Sequence, residues 1–458
     1  MRSPDRHVAR AGSFAVLLGK ELRDLLAGRA LWILVLLLCP VVGYGFLEAV
    51  GLYSEASRSA AQFPELARGL SPLDGILVPT FGAFYVAMTL LFPFVAIRSI
   101  GAEKQSGGLK LLLQLPYRPA MLVAAKLVAA MAGWLLALVP VLSATALWAA
   151  LGGHLSAPET LTLVLGHLLY GLLISAVGLL AAAITDNAAT AAIIALAFTL
   201  GTWVFDFAAV GQGEWMRRLA ALSPTAALKT FETGLFSVPS TLGLLIAAAV
   251  GAALATVWLP LGTSLRAKLR RSTLISGLGV ALGLLVAQAR IYEDAAEDRR
   301  NSFAPADELS LRQLALPLTV TVYLAPDDPR FVDLNRNVLA KLQRVVPQLV
   351  VVQGEVSKGL FGPAGDDRYG LVVYRYGDRQ DESRSTSPRE ILPLIYELAG
   401  ITRVAHAEPP EYPGYPLTTD PGPAAIWFYA VLPALIALLW WQARRPRSTP
   451  KLLSGGLR

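Results

Sequence analysis

Charged side chains are scarce in this sequence. Asp, Glu, Lys and Arg make up 16% of its 458 residues, whereas soluble domains carry roughly 25%. Hydrophobic residues make up 54% of the chain, and its mean hydropathy is +0.52. A water-soluble fold of this length could not bury so much apolar surface, so the composition indicates a membrane protein.

Cysteine and catalytic motifs are almost entirely missing. The one cysteine, Cys39, cannot form an intrachain disulfide, and we interpret it as a small buried hydrophobic residue. No G-x-x-x-x-G-K-[ST] occurs, which excludes nucleotide hydrolysis at a P-loop of this chain. G-x-S-x-G and H-E-x-x-H are absent too. Because the four histidines are far apart in the sequence, we predict neither a metal site nor a cofactor.

Ionisable residues inside the apolar segments are few. Glu48, Asp206 and Lys126 lie near segment ends, where a charged group can extend towards the interface at little cost. Proton-coupled carriers and intramembrane enzymes keep such groups at mid-segment. The sequence therefore favours a non-catalytic protein whose driving energy comes from elsewhere.

Eight apolar segments approach the roughly 20 residues that cross a bilayer as a helix. The seventh and eighth are the shortest, and whether the seventh crosses fully is left open. The segments are residues 30–50, 76–97, 127–150, 161–183, 188–207, 241–261, 274–289 and 424–441.

The net charge of +7 is distributed in a way that predicts orientation. Lys and Arg cluster in the N-terminal segment, in the loops after the second and sixth segments, and in the tail. Cytoplasmic loops carry this excess, so we expect both termini in the cytoplasm of a bacterial-type inner membrane. Nucleic-acid binding is not predicted, because the charges form no single patch. With eight crossings, residues 290–423 fall outside the cytoplasm.

The region 290–423 has the pattern of a small α/β domain. Residues 317–324, 348–353 and 369–376 alternate like strands, and residues 330–345 and 388–398 have helical spacing. A Pro-rich stretch, 408–423, predicts a stiff linker to the last segment.

The fold prediction is therefore an α-helical polytopic membrane protein: a six-span core plus two further spans that bracket a small α/β extracytoplasmic domain. Its expected regions are an amphipathic N-terminal segment (1–29), the core (30–261), a basic loop with the seventh span (262–289), the extracytoplasmic domain with its linker (290–423), the eighth span (424–441) and a basic cytoplasmic tail (442–458).

The loop after the second segment contains the most informative motif. Gly107 and Gly108 interrupt the chain, Leu109, Leu112 and Leu113 then form an apolar edge at helical spacing, and Pro116 ends the helix. Such a short amphipathic helix either docks into a groove on a partner or lies on the lipid surface. The sequence alone leaves both readings open.

A second amphipathic stretch precedes the first segment. Phe14, Leu17, Leu18, Leu22 and Leu25 are predicted to share one face, and Lys20, Glu21, Arg23 and Asp24 the other. An interfacial helix, with its charged face towards water, explains this pattern fully.

Both stretches resemble ABC-2-type permeases. Lys20, Glu21 and Leu22 match the family before its first span, and the second loop matches it at Glu103, Gly107, Gly108, Leu109, the leucine run, Pro116, Arg118 and Lys126. Gly108 stands where the family usually has Thr, and Lys110 where it has an acidic residue. The likeness covers about residues 14–261 and is closest to the permeases grouped with copper-enzyme maturation and gliding motility.

The resemblance implies a role and a set of site residues. The chain would be the permease subunit of an ABC transporter, driven by ATP hydrolysis on a separate subunit, and two such cores would pair as a homodimer or heterodimer. The implied ATPase-coupling residues are Glu103, Gly107, Gly108, Leu109, Leu112, Leu113, Pro116 and Arg118, with Lys20, Glu21 and Leu22 in the N-terminal helix. Substrate and direction of transport are left open; the chain lacks the clustered soft ligands of a copper path.

The exported region has its own resemblance. Residues 310–352 and 369–402 are similar to the extracytoplasmic domain of the auxiliary gliding-motility-type ABC component, through Tyr374-Arg375-Tyr376-Gly377 and Arg389-Glu390-Ile391-Leu392. This likeness implies a permease fused to a short version of its auxiliary partner. The alternative is an envelope assembly or scaffold protein that acts through this domain, with the spans as anchors. Dependence on an ATPase distinguishes the two.

Overall fold

The structure is a computed structural model that describes residues 5–208, 216, 220, 222–354, 368–406 and 410–444. The first four residues, most of the predicted basic tail and two residues of the predicted linker lie outside the described residues. Eight described helices are long and apolar enough to cross a membrane, and each overlaps one predicted segment. The prediction of a mostly helical chain with eight such segments is therefore confirmed.

The helices of the membrane part begin with a long amphipathic helix that is followed by the first spans. A 3-10 turn (Pro64–Gly69) and a π turn (Leu73–Leu77) precede α3. In chain order these helices are α1 (Asp5–Ala27), α2 (Arg29–Gln62), α3 (Val78–Gln105), α4 (Gly108–Gln114), α5 (Pro119–Ala137), α6 (Val139–Ala150), α7 (Ala157–Ile184), α8 (Ala188–Ala208), α9 (Pro224–Glu232), α10 (Val238–Trp258) and α11 (Leu265–Val286).

The core of the membrane part lies where α2, α3, α5 and α7 pack together. Trp134 contacts the edges of Phe84 and Phe92 at centroid distances of 5.8 and 4.8 Å. Gly171 of α7 lies directly beneath Trp134, where an added Cβ would be 2.3 Å from the indole. Small residues at helix contacts allow this close approach, which supplies the packing energy that lipid cannot.

The seventh long helix, α11, is peripheral. None of its residues is buried, and it packs on α10, where Gly279 faces Val250. It begins at Leu265, nine residues before the predicted segment, because the basic residues Arg266 to Arg271 form its first turns. The predicted basic loop is therefore largely the start of this helix.

After α11 the chain folds around a four-stranded sheet, and residues 303–406 are called the sheet domain here. Its strand order is β4-β3-β5-β6, with β3 parallel to β4 and the other pairs antiparallel. The elements are β3 (Leu318–Val322), β4 (Leu349–Gln353), β5 (Val372–Tyr376) and β6 (Arg379–Ser383), with helices α12 (Pro305–Leu311), α13 (Pro329–Leu334), α14 (Ala340–Val345) and α15 (Pro388–Ala399).

The sheet domain has a separate hydrophobic core. Leu318, Val320 and Val322 alternate into it from β3, and Leu342 and Ile395 cover them from the helices. The three predicted strands overlap β3, β4 and β5. The fourth strand was not predicted, because its sequence, Arg-Gln-Asp-Glu-Ser, is polar throughout, as suits an exposed edge.

Two connections attach the sheet domain to the membrane part. A short ribbon pairs β1 (Leu235–Ser237), just before α10, with β2 (Tyr292–Asp294), just after α11. Beyond the sheet domain, Tyr415 accepts a 2.7 Å hydrogen bond from Tyr53 through its carbonyl, and Leu417 N–H donates to Ser57 at 2.9 Å. The part of the predicted linker that is described thus lies along the end of α2.

The last long helix of the described residues packs on α2. This span consists of α16 (Gly422–Ile426), a π turn (Trp427–Val431) and α17 (Leu432–Ala443). Phe428 lies 5.9 Å from Phe46, ring to ring, over Gly43, where an added Cβ would be 2.5 Å from the Phe428 side chain.

Residues 290–411, expressed alone, are expected to unfold cooperatively, because the sheet domain has its own core. Val320→Ala should lower the free energy of unfolding by about 2 kcal/mol, since Val320 is fully buried. The matched Val350→Ala, on a valine that is 49% exposed, should change it by less than about 0.5 kcal/mol. Urea titration followed by circular dichroism measures both. Equal effects, or a gradual melt, would contradict an autonomous core.

Candidate functional site

The turn between α3 and α4 is built around Gly107. Its φ of 75° lies in the left-handed region, which glycine adopts without the steric cost of a Cβ. After this turn, helix α4 begins at Gly108 and ends at Gln114. Leu115 is extended, as is normal before a proline, and Pro116 leads to Arg118, which is exposed and precedes α5.

The two faces of α4 have different environments. Leu109 is 2% exposed and packs with Leu17, Ile100 and Leu122 of the same chain. Leu112 and Leu113 are half-buried. The apolar edge that the sequence assigned to a partner or to lipid thus faces, in large part, the chain's own core. The exposed side consists of Lys110, Leu111, Gln114 and Leu115.

The N-terminal helix α1 packs along α5 and does not match the predicted face assignment. Glu21, placed on the water-facing side by its spacing, is 5% exposed, whereas Val16 is 64% exposed. Leu22 is half-buried. The prediction for Glu21 was wrong because helical spacing takes no account of a buried charge on a neighbouring helix.

That charge is Lys126 of α5, whose side chain is 0% exposed. Its Nζ lies 3.0 Å from both carboxylate oxygens of Glu21 and 2.8 Å from Oε2 of Glu103, and it donates to the Ser99 carbonyl at 2.9 Å. The interpretation of Lys126 as an interfacial lysine was therefore wrong. An unpaired ammonium would be very costly here, so the glutamates of two other helices are drawn inward.

Lys20 completes the network at its outer edge. It forms an ion pair with Glu103 and lies 3.1 Å from Glu21 and 3.4 Å from Asp24. Burial alone would lower the pKa of Lys20, but its hydrogen bond to Glu103 and the charge of Glu21 outweigh burial and raise it. Lys20 therefore remains charged throughout the physiological pH range. The charge cluster, Lys20, Glu21, Glu103 and Lys126, contains two cations and two anions.

The next residue of α3 extends these contacts to another helix. Lys104 donates to the carbonyls of Ala183 and Thr185 at 3.1 and 2.7 Å and lies 3.2 Å from Asp186. A cation at the carboxyl end of a helix also interacts favourably with the helix dipole. Glu103 and Lys104 together connect α3 to α1, to α5 and to the end of α7.

A cavity of about 370 Å³ lies beside the charge cluster, between α1, α3 and α5. Glu21, Glu103 and Lys126 line it together with Arg98 and Asp24. The charged side chains therefore have open space on one side, which gives the cluster room to rearrange without overlap of packed atoms.

The sequence identified most members of this site but not their arrangement. Lys20, Glu21, Glu103 and Lys126 all belong to the motifs quoted above, yet Glu21 and Lys126 are 105 residues apart. Ser99, Lys104 and Asp186 were not singled out. One feature of the sequence could have predicted the cluster: Glu21, Glu103 and Lys126 lie at the ends of three apolar segments that fall on the same side of the membrane in the predicted topology. A coupling role for α4 and its neighbours stays a prediction.

The comparisons with known proteins agree with this architecture. The family model described as ABC-2 family transporter protein matches residues 15–272, over half of the chain. The match includes the charge cluster, α4 and all helices through the start of α11. No curated protein and no solved structure matches significantly. The chain therefore belongs to the ABC-2 transporter family and is a multi-pass membrane permease of that family.

Proposed function

We propose that this permease is the transmembrane subunit of an ABC transporter and moves its substrate across the cytoplasmic membrane with ATP hydrolysed by a separate subunit. The observation that carries the proposal is the charge cluster at the base of α3 and α4. It connects the loop that the ATPase would contact to the helices that would enclose the substrate path.

The exposed side of α4 supplies a docking surface for the ATPase. Leu111 of α4 is 67% exposed, and Leu115, directly after the end of α4, is 47% exposed. Lys110 and Gln114 flank them. A short helix with this pattern fits a groove on a soluble partner, whereas its inner face is already occupied by the chain's own core.

Displacement of α4 would be transmitted through its inner face. Leu109 belongs to the same buried cluster as Leu17 of α1, Ile100 of α3 and Leu122 of α5, and the charge cluster holds the same three helices together. Packed interiors transmit displacement because they compress little. We infer that ATP-driven movement of α4 shifts α1, α3 and α5 together, and that the neighbouring cavity accommodates the rearranged charges.

The proposed layout is a six-span core from α2 to α10 with two further spans, α11 and the last one, around an extracytoplasmic sheet domain. The basic first turns of α11 and Arg444 after the last span support it, since both would lie on the cytoplasmic side. Two cores would pair, as a homodimer or with a related chain, to enclose the substrate path.

A second candidate function, an envelope scaffold, is favoured by one observation. The sheet domain is held to the membrane part at both ends, by the β1–β2 ribbon and by the contacts of Tyr415 and Leu417 with α2. A fixed outer domain suits the binding of an envelope partner. Loss of function in cells that lack the ATPase argues for transport, and function without it argues for a scaffold.

Leu111→Asp should abolish most co-purification with a candidate ATPase subunit expressed together with the permease, because a carboxylate in an apolar interface costs several kcal/mol. The matched control is Leu66→Asp, on a leucine that is 53% exposed and that the proposed topology places on the other face of the membrane. It should leave the complex intact. Affinity purification followed by quantitative immunoblotting gives the ratio of the two proteins. If Leu111→Asp binds the ATPase as the wild type does, the exposed side of α4 is not the docking surface, and α4 is better explained as an interfacial helix.

Lys126→Met should destabilise the permease by about 3–5 kcal/mol, because two glutamates would then share only Lys20 as a cationic partner. Lys110→Met, on an exposed lysine of α4, is the control and should have little effect. The triple variant Glu21→Gln/Glu103→Gln/Lys126→Met should recover much of the loss. Thermal unfolding in detergent measures these changes. If Lys126→Met melts at the wild-type temperature, the charge cluster does not stabilise the permease, and this prediction is wrong.

Topology is tested with single cysteines in a Cys39→Ala background. Asp378→Cys, in the exposed turn before β6, should react with a membrane-impermeant maleimide in intact cells. Gln105→Cys, exposed at the end of α3, should react only after lysis. The reverse pattern would place the sheet domain in the cytoplasm.

A further inference from the structure

A second cavity, of about 420 Å³, lies between the β1–β2 ribbon and the sheet domain. Leu235 of β1 lines it and stands three residues before α10. Three residues span at most about 10 Å, and β2 follows the end of α11 closely. Two helices of membrane-spanning length therefore end beside this cavity, which puts it at the level of the lipid headgroups or just beyond them.

Four arginines line the cavity: Arg290, Arg299, Arg312 and Arg344. Arg312 lies 3.7 Å from Glu308. In the described part of the chain, the other three form no ion pair. Arg290 donates to the carbonyls of Val346 and Pro347 at 2.9 and 2.8 Å, and Arg344 donates to that of Asn301 at 2.5 Å. Arg290 and Arg344 are thus hydrogen-bonded to neutral carbonyls and not to a carboxylate.

Two carboxylates of the cavity, those of Asp294 and Glu308, accept hydrogen bonds from the loop that forms its wall. Asp294 accepts hydrogen bonds from Ala296 N–H, Asn301 N–H and the Ser302 hydroxyl at 3.1, 3.0 and 2.7 Å. Glu308 accepts one from Phe303 N–H at 3.3 Å. These bonds fold residues 296–303 into the wall of the cavity. The cavity is lined by three carboxylates, those of Glu293, Asp294 and Glu308, so the four arginines outnumber the anions by one.

Arg299 has an unusual backbone conformation at this wall. Its φ is 50°, in the left-handed region that is disfavoured for any residue with a Cβ. The turn is closed by Arg299 N–H to Ala296 and by Ser302 N–H to Arg299, both at 3.1 Å. Across the residues that the structure describes, the Arg299 guanidinium has no partner. Backbone conformations of this kind occur preferentially at binding sites and active sites, and Arg299 is exposed, so its guanidinium is accessible to a ligand.

The positive potential extends behind the wall. Lys341 is 9% exposed and donates to the Ser302 carbonyl at 3.1 Å. Burial lowers the pKa of both Lys341 and Arg344, which means that neighbouring anions do not fully compensate their charges. An anion bound in the cavity would supply the missing compensation.

We propose that this cavity binds the phosphate group of an anionic ligand through Arg299, Arg344 and Arg290. The planar fork of a guanidinium matches phosphate oxygens, and Arg is therefore a preferred phosphate ligand. A volume of about 420 Å³ accommodates a phosphate with a small polar group such as glycerol. The ligand is either an anionic lipid headgroup or a soluble phosphate ester. The proposal depends on the helices crossing the membrane and not on an ATPase.

Binding is tested on the full-length protein in a non-ionic detergent. The probes are dihexanoyl phosphatidylglycerol, sn-glycerol 3-phosphate and dihexanoylglycerol, which lacks the phosphate; isothermal titration at fixed ionic strength gives each Kd. Arg299→Ala should weaken binding of the phosphate probes about tenfold. Arg389→Ala, on an exposed arginine of α15 that does not line the cavity, should bind as the wild type does.

Arg299→Gly separates binding from folding. Glycine suits the left-handed conformation, so this variant should melt at or above the wild-type temperature and still bind about tenfold more weakly. Binding of both phosphate probes identifies the phosphate as sufficient, and binding of phosphatidylglycerol alone identifies the lipid as the source. The proposal fails if neither phosphate probe binds, if dihexanoylglycerol binds equally well, or if both Arg299 variants keep the wild-type Kd.

Discussion

The buried ammonium of Lys126 is the constraint on which the end of this permease that carries α1 and α4 depends. A charge with a fully buried side chain requires partners within hydrogen-bonding distance, and the chain supplies them from two other helices, Glu21 of α1 and Glu103 of α3. An amphipathic helix that would otherwise be free to lie on the lipid is thereby fixed to the membrane part. Because α4 starts five residues after Glu103, the position of Glu103 also fixes where the inner leucines of α4 pack. Only the exposed side of α4 is then available to a partner.

Polar contacts also fix the opposite end of the molecule. The Glu297 carboxylate accepts a hydrogen bond from His154 Nε2–H at 2.9 Å, and the Glu297 backbone N–H donates to Glu159 at 2.8 Å. Arg300 pairs with both Asp298 and Asp74. The segment after β2 thus contacts the loop before α7 and the start of the second span. A movement of these helices would therefore be transmitted to the sheet domain through these contacts.

Hydropathy and alternation predicted much of the fold because they record burial within one element. A stretch of about 20 apolar residues has few alternatives to a span, and the period-two pattern of Leu318 to Val322 specifies one face of a strand. The charge cluster lies beyond such patterns, since Glu21 and Lys126 belong to elements whose contact is set by tertiary packing. Edge strand β6 and the Arg299 turn were missed for a related reason: exposed polar residues and a left-handed arginine carry no periodic signal.

The two sites differ in how their charges are balanced, and this difference indicates different roles. In the charge cluster, two lysines face two glutamates. The Lys126 pairs and the Lys20–Glu21 pair have N–O distances of 2.8–3.1 Å. The charges of this site are therefore balanced without a ligand, and the ion pairs connect the helices that carry them. At the cavity between the β1–β2 ribbon and the sheet domain, Arg290, Arg299 and Arg344 have no ion pair among the described residues, while Asp294 accepts the hydrogen bonds that shape the wall. Arg290 and Arg299 are exposed, so their guanidinium groups are accessible to an anion from outside the chain. The first arrangement suits the coupling of helices, and the second suits recognition of a ligand from outside the chain.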